Sequence, residues 1–123
     1  MLRLRGDGGV SENKKKEEKN PIKEMINFLV SEQLLNGLWN SQSLKYDKMS
    51  INEQKSNEVL KDLSISEMKE DIKASFIIFC FLRAKGEKAE LLLLLGKAAK
   101  QLKSLIADFK EKTLRYEERV LKG

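Results

Sequence analysis

The stretch Ala74-Ser75-Phe76-Ile77-Ile78-Phe79-Cys80-Phe81-Leu82 constrains this chain more than any other. Met68, Ile72, Phe76, Phe79 and Leu82 recur at helical spacing, while Ile77, Ile78, Cys80 and Phe81 fill the remaining faces. A helix that is apolar on nearly every side must be covered on nearly every side. It does not span a membrane, because Arg83 ends it well short of the roughly 20 apolar residues a bilayer requires. The run therefore predicts a central helix with other helices packed around it.

The rest of the composition agrees. At 123 residues the chain is sized for one domain, and 41% hydrophobic content supplies a core. Charged residues make up 35%, proline occurs once, and Leu, Lys, Glu and Ala outweigh Val and Thr, a helix-forming mixture. The formal charge is +5. Lysines and glutamates are intermixed, so this charge points only weakly to an acidic partner. One cysteine allows no internal disulfide and predicts a reducing, cytoplasmic setting. The N-terminus lacks the apolar core of a secretion signal.

Residues 1–20 read as a disordered basic tail, and residues 21–123 as one helical domain. The Lys14-Lys15-Lys16-Glu17-Glu18-Lys19 block reads as a solvated linker, with a localisation or nucleic-acid signal as the alternative. A first helix is expected over residues 21–35, capped by Asn20 with Pro21 at its first position. Ile22, Met25, Ile26, Leu29 and Gln33 form its stripe, and Asn36-Gly37 its end. Trp39, after that turn, is expected to fold back into the core rather than to serve as a binding anchor. Residues 40–50 read as loop with a short strand-like piece at 43–46. A helix over 52–63 follows, with Val59, Leu60 and Leu63 inward and a frayed beginning. Ser64-Ile65-Ser66-Glu67 fits a capping box and places the central helix at 65–85. The last helix is expected over 87–121, with Leu91 to Leu95 as its buried turn and close packing at Gly96. The expected core comprises Ile26, Leu29, Trp39, Ile72, Phe76, Phe79, Leu92, Leu95 and Leu102.

Along the last helix Leu92, Leu95, Ala99, Leu102, Ile106, Phe109, Thr113, Tyr116 and Val120 alternate spacings of three and four, a heptad-like seam. Its second half either lies back on the first helix or meets another chain. The reading favours the latter and takes Phe109, Thr113, Tyr116 and Val120 as partner-binding residues. Thr113 at a core position favours a weak or heterotypic contact over a tight homodimer. Lys97, Lys100, Lys103, Lys110, Lys112, Arg115, Arg119 and Lys122 support a second reading, a basic helical nucleic-acid binder.

Catalytic chemistry finds little support. Cys80 sits in the most apolar run with no histidine in the chain to activate it, so it reads as a small core residue. Asp62-Leu63-Ser64-Ile65-Ser66 matches the Asp-x-Ser-x-Ser metal pattern of von Willebrand A domains. It follows a helical rather than a strand-like segment, and capping uses the same serines. Carboxylate pairs such as Glu67 with Asp71 read as solvated helix faces. No catalytic residue, cofactor or metal is expected.

Two resemblances add to this. Phe28-Leu29-Val30-Ser31-Glu32-Gln33, Asn36-Gly37-Leu38-Trp39, Asp62-Leu63, residues 73–82, Leu91 to Leu95 and Lys97-Ala98-Ala99-Lys100-Gln101-Leu102 keep a recognisable order and spacing. It resembles the helical C-terminal region of proteins carrying an inter-alpha-trypsin (VIT) domain and a von Willebrand A domain, the group that includes vault poly(ADP-ribose) polymerase. The tryptophans of that pattern's third and fourth helices are absent here. Leu2-Arg3-Leu4-Arg5-Gly6 resembles the end of ubiquitin, with Asp7 in place of the last glycine, which argues against cleavage after Gly6. The combined expectation is an all-α bundle of about four helices with a long C-terminal helix. Its implied role is a non-enzymatic module that binds a protein partner, with weak self-association as a further option and no membrane.

Overall fold

A computed structural model describes residues 20–122. The expected tail, with its lysine block and ubiquitin-like residues, lies outside them. Five α-helices and no strand occur among the described residues. Helix α1 spans Pro21–Glu32. Its cap forms because the Asn20 side chain accepts hydrogen bonds from the Ile22 and Lys23 amides at 3.1 and 3.2 Å. The helix ends at Glu32, short of residue 35, where Gln33 turns extended. Gly37 closes a separate turn, donating to the Leu34 carbonyl at 2.9 Å. It needs to be glycine twice over: its φ is +91°, and an added Cβ would stand 2.9 Å from the Lys97 carbonyl oxygen.

That turn delivers Trp39 into the interior. The indole Nε1 donates to the Leu29 carbonyl at 2.7 Å, and the Trp39 amide donates to Ser75 Oγ at 2.8 Å. A single turn of 3-10 helix, Ser41–Ser43, follows where a strand-like piece was expected. Helix α2, Glu53–Asp62, is capped by Asn52 and is helical from its first residue, without the expected fraying. Its inner face runs Ser56, Val59, Leu60 and then Leu63, with a serine where an apolar residue is the usual choice.

The capping-box expectation fails at Ser64. The central helix α3 is Glu70–Lys85 and starts five residues later than expected, after Lys69. Ser64 instead stops α2. It sits in the left-handed region at φ +63°, donates to the Lys61 carbonyl at 3.1 Å, and lets the Ile65 amide reach the Leu60 carbonyl at 2.8 Å. This is a Schellman ending with serine in the place that usually holds glycine. Leu60 and Ile65, the positions whose apolar side chains usually meet in such an ending, are both buried.

Residues 74–82 of α3 are buried on every side. Helix α4, Lys88–Leu105, packs along α3. The expected continuous helix to residue 121 then breaks. Ile106 is extended and Asp108 takes a left-handed conformation at φ +53°, which Asp adopts more readily than most residues. Helix α5, Phe109–Tyr116, turns back and continues into a π-helical turn, Glu117–Leu121. Both pack on α2 and α3. Phe109 meets Phe76 and Phe79 with ring centroids 6.2 and 5.1 Å apart, and Tyr116 stands edge-on to Phe76 at 5.6 Å. Among the residues read as core, Leu29, Trp39, Phe76, Phe79 and Leu102 are buried, and Ile26, Ile72 and Leu95 are half-buried against them. Leu92 is the correction: it lies on the solvent side. Nor does Gly96 mark close packing, since nothing lies within 4 Å of where its Cβ would be.

Candidate functional site

The seam read as a partner surface is covered from within. Phe109, Thr113 and Tyr116 are buried and Val120 is half-buried. The break at residues 106–108 folds the seam onto α3 and α2 instead of extending it into water. Polar contacts hold it there. The Tyr116 hydroxyl and Ser56 Oγ share a hydrogen bond of 2.7 Å. Arg83 Nη1 donates to Thr113 Oγ1 at 3.3 Å, while its Nε stands 3.4 Å from the buried Glu117 carboxylate. Thr113 Oγ1 also donates to the Lys110 carbonyl at 2.7 Å, which accounts for a threonine at a core position. Burial pushes the Tyr116 phenol well above its ordinary value, with the Ser56 bond opposing.

In the Asp62, Ser64 and Ser66 pattern, Ser64 forms the ending of α2. Asp62 pairs with Arg119 at 2.9 Å, tying the chain's last turn to the end of α2. No cluster of three or more metal-ligating side chains occurs among the described residues. Cys80 is fully buried, and burial pushes its thiol well up, followed in effect by the Glu117 charge. That environment disfavours a thiolate.

What faces water is the outer side of α4. Leu91, Ala98 and Leu102 define its buried stripe. Opposite them Ala89, Leu92, Leu93, Gly96, Lys97, Lys100 and Lys103 are all exposed. Leu92 is 69% and Leu93 88% exposed. The turn after α1 adjoins this face, because Gln33 Nε2 donates to the Leu94 carbonyl at 3.2 Å and Gly37 sits against Lys97. That turn carries Leu35, 94% exposed. Sequence periodicity missed these residues because an apolar run at Leu91 to Leu95 is indistinguishable from core until the neighbours are in place.

The cations of the nucleic-acid reading divide. Arg115 pairs with Glu111 at 3.3 Å and Arg119 with Asp62. Lys97, Lys100 and Lys103 stand in a row on α4, and no carboxylate pairs with them among the described residues. No helix among the described residues is long and apolar enough to cross a membrane. In comparison with known proteins, no family model, no curated protein and no solved structure matches the chain.

Proposed function

We propose that this chain is a non-enzymatic helical module that binds a protein partner in the cytoplasm. The observation that carries the reading is that Leu35, Leu93 and Leu92 are the most exposed large apolar side chains among the described residues, two on the outer face of α4 and one on the turn that adjoins it. Large apolar side chains left exposed and rimmed by charge are a common mark of a protein interface. The resemblance of residues 25–105 to the helical end of VIT and von Willebrand A domain proteins points the same way.

The test uses the full chain as bait in a native lysate, beside a Leu92→Glu/Leu93→Glu variant. A partner captured by the parent and lost by the variant, with an unchanged thermal midpoint, is the expected result. Identical captured sets would overturn the reading. The second reading, a basic nucleic-acid binder, draws on the row of Lys97, Lys100 and Lys103, which has no carboxylate partner among the described residues. It requires an affinity for duplex or single-stranded probes that falls steeply with salt.

A further inference from the structure

We propose that the solvent face of α4 receives an acidic amphipathic helix of a partner protein, laid lengthwise along it. This rests on the interaction-module reading and specifies the partner's chemistry. The face is divided end to end. Its N-terminal half presents Ala89, Leu92, Leu93 and Gly96 with Glu90 at its flank, and its C-terminal half presents Lys97, Lys100 and Lys103. A helix placed on it meets apolar side chains over its first turns and ammonium groups over the rest.

Two observations favour a helical occupant. Ala89 and Gly96 lie seven residues apart, flanking the leucines on the same face. Glycine weakens the helix that contains it, and here the fold puts nothing into the space it leaves. A partner backbone can approach closely at that point. The turn carrying Leu35 borders the face on its Leu94 and Lys97 side, held by the Gln33 bond to the Leu94 carbonyl.

Charge decides which helix fits. Lys97, Lys100 and Lys103, like most lysines among the described residues, have no carboxylate within 4 Å, and they differ from the others in standing at a spacing of three on the same face as the exposed leucines. Carboxylates on the partner complete the pairing and set its register. A second copy of this chain fits worse. Parallel pairing sets the lysine rows side by side. Antiparallel pairing lays each row of three lysines over the N-terminal end of α4, where the helix dipole is positive and Glu90 is the one acidic residue of the first turn. A bilayer fits worse as well, since helices lying on membranes carry an apolar face along their whole length with cations flanking it. Nucleic acid would use the lysines and leave the leucines idle.

The experiment measures fluorescence anisotropy with the full chain and two labelled designed peptides, each helical and roughly 20 residues long. Both carry the same leucines over one half of a face, and glutamates or lysines over the other half. The glutamate peptide is expected to bind at least about tenfold more tightly than the lysine peptide, and to weaken as salt rises from about 50 to about 500 mM. Lys97→Glu/Lys100→Glu is expected to reverse the preference. Leu93→Glu is expected to weaken the glutamate peptide by about tenfold or more, with both variants melting like the parent.

Equal or absent binding of the two peptides overturns the proposal, as does insensitivity to Leu93→Glu. A dimer in sedimentation that Leu93→Glu dissolves would assign the face to a second copy. Binding to anionic phosphatidylserine vesicles or to an oligonucleotide, lost in the lysine variant, would assign it elsewhere. If the peptides fail while Leu92→Glu/Leu93→Glu still loses a partner from lysate, the interaction-module reading stands and only the acidic-helix inference falls.

Discussion

Helices α3 and α4 both carry an unbroken apolar run, and the fold treats them in opposite ways. In α3 the run over residues 74–82 is buried on all sides. In α4 the run from Leu91 to Leu95 wraps around the helix, yet only Leu91 is buried; Leu94 and Leu95 are half-covered, and Leu92 and Leu93 face water. The difference lies in position. Helix α3 has α1, the 3-10 turn, α4, α5 and the π-helical turn around it, whereas α4 lies at the edge with one face toward α3. An apolar run shows how much surface a helix offers for burial, but the number of neighbours decides how much is buried. The remainder on α4 is surplus to the fold.

The largest expected effect comes from removing what covers α3. Truncation after Ala107 deletes Phe109, Thr113, Tyr116 and the Arg83–Glu117 contact at once. Each buried aromatic is worth about 3–5 kcal/mol on removal, against a total stability of roughly 5–15 kcal/mol for a domain. The truncated chain is expected to show no cooperative thermal transition by circular dichroism. An unchanged midpoint would mean that α3 does not depend on α5, and the contrast between the helices would lose its basis.

Next in size is Phe76→Ala, which removes a ring packed edge-on against both Phe109 and Tyr116. The expected loss is about 3–5 kcal/mol in urea unfolding. A loss below about 1 kcal/mol would place Phe76 in a loosely packed site, closer to the α4 type than to the α3 type.

Tyr116→Phe tests the polar seal between α2 and α5. It removes the hydroxyl that hydrogen-bonds the buried Ser56 Oγ, which costs about 1–2 kcal/mol. Its pH dependence has a definite sign. Burial raises the folded-state pKa of Tyr116 above the unfolded value, so its contribution is complete below the ordinary tyrosine value near 10 and declines as pH rises beyond it. The parent is expected to lose up to about 1.4 kcal/mol per pH unit in that range from this group alone. The variant, retaining the raised Tyr46 and Cys80, is expected to lose less. Thermal midpoints across alkaline pH would show this, and parallel curves for parent and variant would contradict it.

The central helix was legible because an all-round apolar run has one interpretation at this length, and the start of α1 because Asn20-Pro21 is a strong local signal. The start of α3 was not. Ser64-Ile65-Ser66-Glu67 can open a helix through the serine side chain or close one through a left-handed serine. Tertiary burial of Ile65 beside Leu60 selects the second, and no local pattern encodes that choice. The break after Leu105 hid for a related reason. Ile106 and Phe109 keep the three-residue spacing of a continuous helix while the backbone between them leaves it. The exposed face of α4 hid because side-chain type does not record how many neighbours a helix has. Ser64→Gly follows from this reading. Relief of a left-handed non-glycine residue, partly offset by the unfolded chain's added freedom, is expected to stabilise by about 0.5–1 kcal/mol. A loss of stability in urea would show that Ser64 is held by something other than the helix ending.

The smallest expected effect is the sharpest test of the contrast. Leu91 and Leu93 lie two residues apart in the same apolar run, one buried beside Gly86 and the other 88% exposed. Leu91→Ala removes packed methyl groups and leaves a cavity, at an expected cost of about 2–5 kcal/mol. Leu93→Ala removes side-chain atoms that mostly touch water, and alanine is the slightly better helix former, so the expected change lies within about 0.5 kcal/mol of zero. Urea unfolding of the two variants at low protein concentration reads the difference directly. If Leu93→Ala costs as much as Leu91→Ala, the outer face of α4 is covered in the free chain and both helices belong to one core. If the two differ as expected, Leu93 contributes nothing to holding the fold together and its leucine is left to explain by what it binds.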